Sequence, residues 1–189
     1  DANNSKLCIF KNLQEENIKS FNPKDIKAYR INDSKFYITK NIKVTDSTET
    51  VFLEFLLQGV INLYFYSTTE GSMYLIEKSN EIHKLQKIIT EVEKNDKTLI
   101  VENNQYKAVL SYLLKDCPEL QNKIETAILD HKNLVKITKE YHERTCKNYS
   151  CIVFTKNTKP KLRRKVERLL EKTKNVFSKR ADAQQNSNK

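Results

Sequence analysis

The hydrophobic period changes once along this chain, and that change limits the folds open to it. Up to about residue 86 apolar residues alternate with polar ones; from Asn104 they recur three and four apart. Strands first and helices afterwards are the order of an α+β domain, not of an alternating α/β one.

The β-rich part reads as an antiparallel sheet, a meander spanning about residues 6–86. Leu7–Phe10, Asn17–Phe21 and Ile26–Ile31 are short runs, the last two separated by the Asn22-Pro23-Lys24-Asp25 turn signal. Lys35–Ile42 alternates, and Val51–Leu57 and Val60–Tyr66 are the strongest strands, with Gln58-Gly59 either joining them or lying in one bulged strand. Met73–Glu77 returns, and Glu81–Leu85 follows a Ser79-Asn80 turn. About three helices are expected over 104–146. Tyr106, Val109, Leu110, Leu113 and Leu114 mark the first, Pro118 opens the second, and Leu134, Ile137 and Tyr141 mark the third. Cys151–Phe154 is a brief β run.

Two domains of unequal kind follow from charge. Residues 156–189 carry twelve basic and three acidic residues, so +9 of the net +10 sits there and the body, 1–155, is nearly neutral. Lys161–Lys179 is expected to be a basic amphipathic helix, with Leu162, Val166, Leu169, Leu170 and Phe177 on one side and a disordered end beyond it. Its Lys161, Arg163, Arg164, Lys165, Arg168 and Lys172 are the candidate partner-binding residues. They suit an envelope protein, membrane head groups or lipopolysaccharide better than nucleic acid. The plainer reading is a helix docked by its apolar side with a solvated charged face. No stretch approaches the ~20 apolar residues of a membrane-spanning helix, and no signal-peptide pattern opens the chain, which fits a cytosolic protein or a mature exported one.

Only two glycines, Gly59 and Gly71, are present, which counts against Gly-rich phosphate loops and dinucleotide folds. Cys146 and Cys151 flank a short polar loop and could bridge, with Cys8 and Cys117 as the other pair. Free core thiols and metal ligation stay open as alternatives. His142 and Cys146 share a helix face; zinc there would need Cys151 to fold back and His131 or Asp130 as the fourth ligand, and no paired-ligand spacing supports it, while a thiolate–imidazole pair of Cys146 with His142 would lack a glycine-supplied oxyanion site. Glu54, Glu70, Glu77 and Glu81 lie on or near the central strands, and Glu54 is expected to face solvent. The tyrosines and phenylalanines are expected to pack across strands, with some tyrosine exposed for stacking on sugars or bases.

From Ile18 to Phe154 the body resembles a family of uncharacterised Bacteroidota cell-envelope proteins. The resemblance is carried by Ser20–Tyr29, Ser34–Tyr37, Phe52–Gly59 with Leu63-Tyr64 and Tyr66, Tyr106–Leu114, Asp116-Cys117 and Leu134–Tyr141. Such domains are exported and typically precede an outer-membrane β-barrel; no barrel-like alternation follows Phe154 here. The resemblance implies an exported, periplasmic or outer-membrane-associated location, no catalytic residues and no cofactor. Asp46-Ser47-Thr48 is similar to the short O-glycosylation sequence of such proteins. Four free thiols would instead fit the cytoplasm. The expected function is a non-catalytic binding or scaffold domain. The alternatives are a polyanion or nucleic-acid binder acting through the tail, and an enzyme of unrecognised type.

Overall fold

The structure is a computed structural model. It describes residues 2–11, 17–31, 34–44, 47–94, 97–146 and 150–154. The basic stretch 156–189, with Lys161, Arg163, Arg164, Lys165, Arg168 and Lys172, lies outside the described residues, as do Thr45 and Asp46.

The fold is α+β. A 3-10 turn, Ala2–Ser5, leads to a two-stranded ribbon of β1 (Cys8–Lys11) and β2 (Ile18–Phe21). The main sheet follows as an antiparallel meander: β3 (Ala28–Arg30), β4 (Phe36–Lys43), β5 (Thr48–Gln58), β6 (Ile61–Ser67), β7 (Ser72–Lys78) and β8 (Glu81–Leu85) pair in chain order. A second ribbon, β9 (Ile88–Lys94) with β10 (Lys97–Asn103), leads to the helices α1 (Gln105–Leu113), α2 (Gln121–Glu125) and α3 (His131–Thr145). Strand β11 (Ile152–Val153) then returns to β5, so the last described residues are part of the sheet.

Most strands fall where alternation places them. Gln58 ends β5 and Gly59-Val60 makes the tight turn into β6, so the two are separate strands; the irregularity in β5 lies three residues earlier, between Phe55 and Leu57. That bulge turns both Leu56 and Leu57 into the cluster under the helices, whereas a regular strand would send one of them to the opposite face. The ribbon β9–β10 is an addition to the sequence reading, which ends its strands near residue 86.

The sheet is apolar on both faces. On one, Leu56, Leu57, Ile61, Leu63, Ile76 and Leu85 pack under Leu110, Leu114, Leu120, Ile124, Leu134 and Ile137 of the helical layer. Beside it Cys8, Tyr37 and Phe52 are covered by Phe21, Ile26 and Tyr29. On the other face Ile42, Val51, Leu53, Phe55, Tyr64, Tyr66 and Leu75 form a second buried cluster that includes no residue of the described α-helices. The sheet covers them by curling. Strands β4 and β8 are four positions apart, roughly 19 Å in a flat sheet, yet Lys84 Nζ on β8 donates to the carbonyl of Val44 beyond β4 at 2.6 Å. Phe154 closes one end of this concave cluster, its ring 4.9 Å from that of Phe36 and 5.1 Å from that of Phe55.

Helix α3 starts where Asp130 accepts a hydrogen bond from the Asn133 backbone N–H at 2.7 Å, an N-cap that also lowers the Asp130 carboxyl's pKa. Lys78 ties the layers together: its Nζ donates to the Leu113 carbonyl at the end of α1 (2.6 Å), to the Tyr141 hydroxyl of α3 (3.0 Å) and to Asp116 (3.3 Å).

Candidate functional site

Among the described residues two carboxylates are buried, one on each side of the sheet. Glu77, 6 % exposed, lies on the concave side opposite Asn62. Its Oε1 accepts from Lys40 Nζ at 2.7 Å; its Oε2 accepts from Tyr64 Oη at 2.5 Å and Asn62 Nδ2 at 2.9 Å. Burial pushes this carboxyl's pKa up. The hydrogen bonds from Lys40, Tyr64 and Asn62, and the Lys40 charge, outweigh that and hold it below its ordinary value. Burial and the same carboxylate push the Tyr64 hydroxyl's pKa upward.

Glu54, also 6 % exposed, faces the helical side, which corrects the expectation that it points to solvent. The cost of burying it is offset by Lys35, whose Nζ lies 2.7 Å from Oε2. Near it are Phe65, Tyr74 and His131; the Tyr74 hydroxyl and His131 Nδ1 are 2.7 Å apart, and the Phe65 and His131 rings 4.6 Å apart. Burial lowers the His131 pKa and raises that of Tyr74 to about 12.

His142, 1 % exposed, turns inward from α3. Its Nδ1 lies 2.7 Å from the Thr138 carbonyl and its Nε2 accepts the Ile61 backbone N–H at 3.1 Å, so both ring nitrogens are committed to the fold. It therefore does not turn toward Cys146, which sits at the end of the helix next to Thr145. Among the described residues no group of three His, Cys, Asp or Glu side chains is placed to hold a metal ion.

The four cysteines are free thiols in this structure, so neither candidate bridge is formed. Cys8 and Cys117 are buried in different clusters, Cys8 under the N-terminal ribbon and Cys117 under the helices, where its Sγ lies 3.4 Å from Glu119. Cys146 and Cys151 are half-buried. The aromatic residues mostly pack: Tyr37, Tyr64 and Tyr66 are buried, and Tyr29 stacks on Tyr37 at 4.8 Å. Tyr112, at 66 % exposure, is the exposed tyrosine of the helical layer.

Among the described residues exposed apolar side chains gather on the two ribbons, with Val60, Ile128 and Ile152 exposed singly elsewhere. On the β9–β10 ribbon Ile89 and Ile100 are 63 % and 69 % exposed, and Ile88, Leu99 and Val101 are exposed with them. On the N-terminal ribbon Ile9, Phe10 and Ile18 are exposed. A groove of about 750 Å³ runs beside the N-terminal ribbon, bordered by Leu7–Lys11 and by Tyr29–Ile31. Its floor is fixed by Tyr29 Oη, which donates to the Asn4 carbonyl at 2.6 Å.

In comparisons with protein-family models, curated proteins and solved structures, nothing matches this chain. Among the described residues no helix is long and apolar enough to cross a membrane.

Proposed function

We propose that this chain is a non-catalytic binding or scaffold module of the cell envelope. The observation that carries the reading is the β9–β10 ribbon. It forms its own two-stranded sheet and displays Ile89 and Ile100 to solvent. An isolated two-stranded ribbon is marginally stable in water, and this one exposes apolar side chains on both faces, Ile89 and Ile100 on one and Ile88, Leu99 and Val101 on the other, which suits a ribbon held by a partner. The buried carboxylates add support, because each is engaged by a lysine inside the fold. The envelope location rests on the family resemblance of the body.

Photo-crosslinking groups at positions 89 and 100, with one at Lys139 on α3 as control, test the reading in cells that make the full chain. A discrete, saturable adduct at each position, lost when the other isoleucine of the same ribbon face (Ile100 for the group at 89, Ile89 for the group at 100) is replaced by glutamate, is the expected result. No adduct, or the same adducts at all three positions, overturns it.

The charge split favours one second reading, polyanion binding through residues 156–189, where +9 of the +10 net charge lies. Its signature is a steep fall in affinity between low and moderate salt.

A further inference from the structure

We infer that the groove between β1 and β3 binds an extended acidic peptide segment that adds a strand to the open edge of β3. This rests on the binding-module reading and adds a second surface to it, with the class of its ligand. Strand β3 is the first strand of the meander and pairs only with β4, and β1 pairs only with β2, so each has an edge without a strand partner among the described residues. Both border the same groove. Outward backbone N–H and C=O groups of such an edge are a template for another extended chain.

The side chains around the groove state the rest of the chemistry. Lys6, Lys11 and Arg30 are exposed cations, and no Asp or Glu is among the described residues that line it. Ile9, Phe10 and Ile31, exposed by 67 %, 54 % and 39 %, supply apolar contact between the charges. A strand presents alternate residues to opposite sides. A segment alternating β-branched and acidic residues would therefore place its apolar side chains against Phe10 and Ile31 and its carboxylates near the lysines and Arg30. Backbone pairing gives affinity in such a mode and the charges give selection.

The test uses the full chain and three blocked, fluorescently labelled octapeptides. One alternates valine and glutamate, one alternates valine and lysine, and one is the valine–glutamate peptide with alternate amides N-methylated along one edge. The valine–glutamate peptide is expected to bind and to slow amide hydrogen exchange at Ala28 and Arg30, whose N–H groups point away from β4. N-methylation, or the double substitution Lys11→Glu with Arg30→Glu, is expected to weaken it about tenfold or more. The valine–lysine peptide should not bind. Equal binding by the N-methylated peptide, or by the double variant, assigns the attraction to residues 156–189 and overturns the inference. So does an absence of binding up to about 1 mM. If the groove fails while adducts at positions 89 and 100 persist, the module reading stands without it; if both fail, the module reading goes too.

Discussion

A β-carbon placed on Gly59 would lie 2.2 Å from Nε2 of His142, although the two residues are 83 apart in sequence. The turn between β5 and β6 is shaped to this ring, which accepts the Ile61 N–H at 3.1 Å just beyond the glycine. Gly59→Ala should destabilise the fold by about 2–3 kcal/mol through overpacking. His142→Ala should also destabilise, by leaving the Ile61 N–H unpaired and a cavity behind. The double variant should lose less than the sum, because removing the ring makes room for the methyl. Denaturant unfolding of the four proteins reads this; strict additivity would show that the ring does not set the size of the turn.

Glu77→Gln should destabilise by about 3 kcal/mol, because it leaves Lys40 charged and largely buried without its counter-charge. The sign with pH follows from the Glu77 carboxyl, which titrates below its ordinary value near 4.5. Its contribution is fully present above that value and is lost as pH falls through the lower, folded one. Stability measured from neutral pH downward should fall less steeply in Glu77→Gln than in the natural chain. An unchanged slope would mean that the pair does not form.

His131 gives a second, separate pH window. Burial holds its pKa below the ordinary 6.5, so the unfolded chain binds a proton more readily than the folded one. Stability should be undiminished above about 6.5 and decline as pH falls from there toward the folded value. His131→Gln should flatten that decline while leaving the steeper acid limb of Glu77 in place. Proton NMR titration of the ring is the direct check.

Intact-mass alkylation should find four thiols after unfolding. In the native chain Cys146 and Cys151 should react first. Cys8 and Cys117 should be slow, since both are buried and burial raises their pKa. Four thiols in the native chain would fit the cytoplasm and remove the envelope location from the proposed function, leaving the binding module; two bridges would place the chain in an oxidising compartment and support that location.

The meander was legible because its pairs are local: alternation marks each strand, polar turns join them, and the strands pair in chain order. The helices were legible from spacing, and Pro118 opens a 3-10 turn, Pro118–Leu120, that leads into the second. Ribbon β9–β10 had a readable signal, Ile88, Thr90 and Val92 alternating with Ile89, Glu91 and Glu93 before Asn95-Asp96, but its charge hid it. What the sequence could not show depends on the curl of the sheet. Lys40 meets Glu77 across 37 residues only because β4 and β7 share one concave side. The groove likewise needs Leu7–Lys11 and Tyr29–Ile31 to meet in space. Glu54 was misplaced for a related reason: Lys35 reaches it from just before β4 and makes an inward carboxylate tolerable.

Glu77 and Lys78 are neighbours in β7 with opposite charges and opposite destinations, one toward Lys40 and the other toward Asp116 and the end of α1. A slip of β7 by one residue would exchange them. Lys78 would then confront Lys40 inside the concave face, and Glu77 would meet Asp116 among carbonyls. Each half of the dipeptide thus acts as a proofreader for the other: the apolar pattern selects the sheet, and the sign of the charge rejects its nearest misalignment.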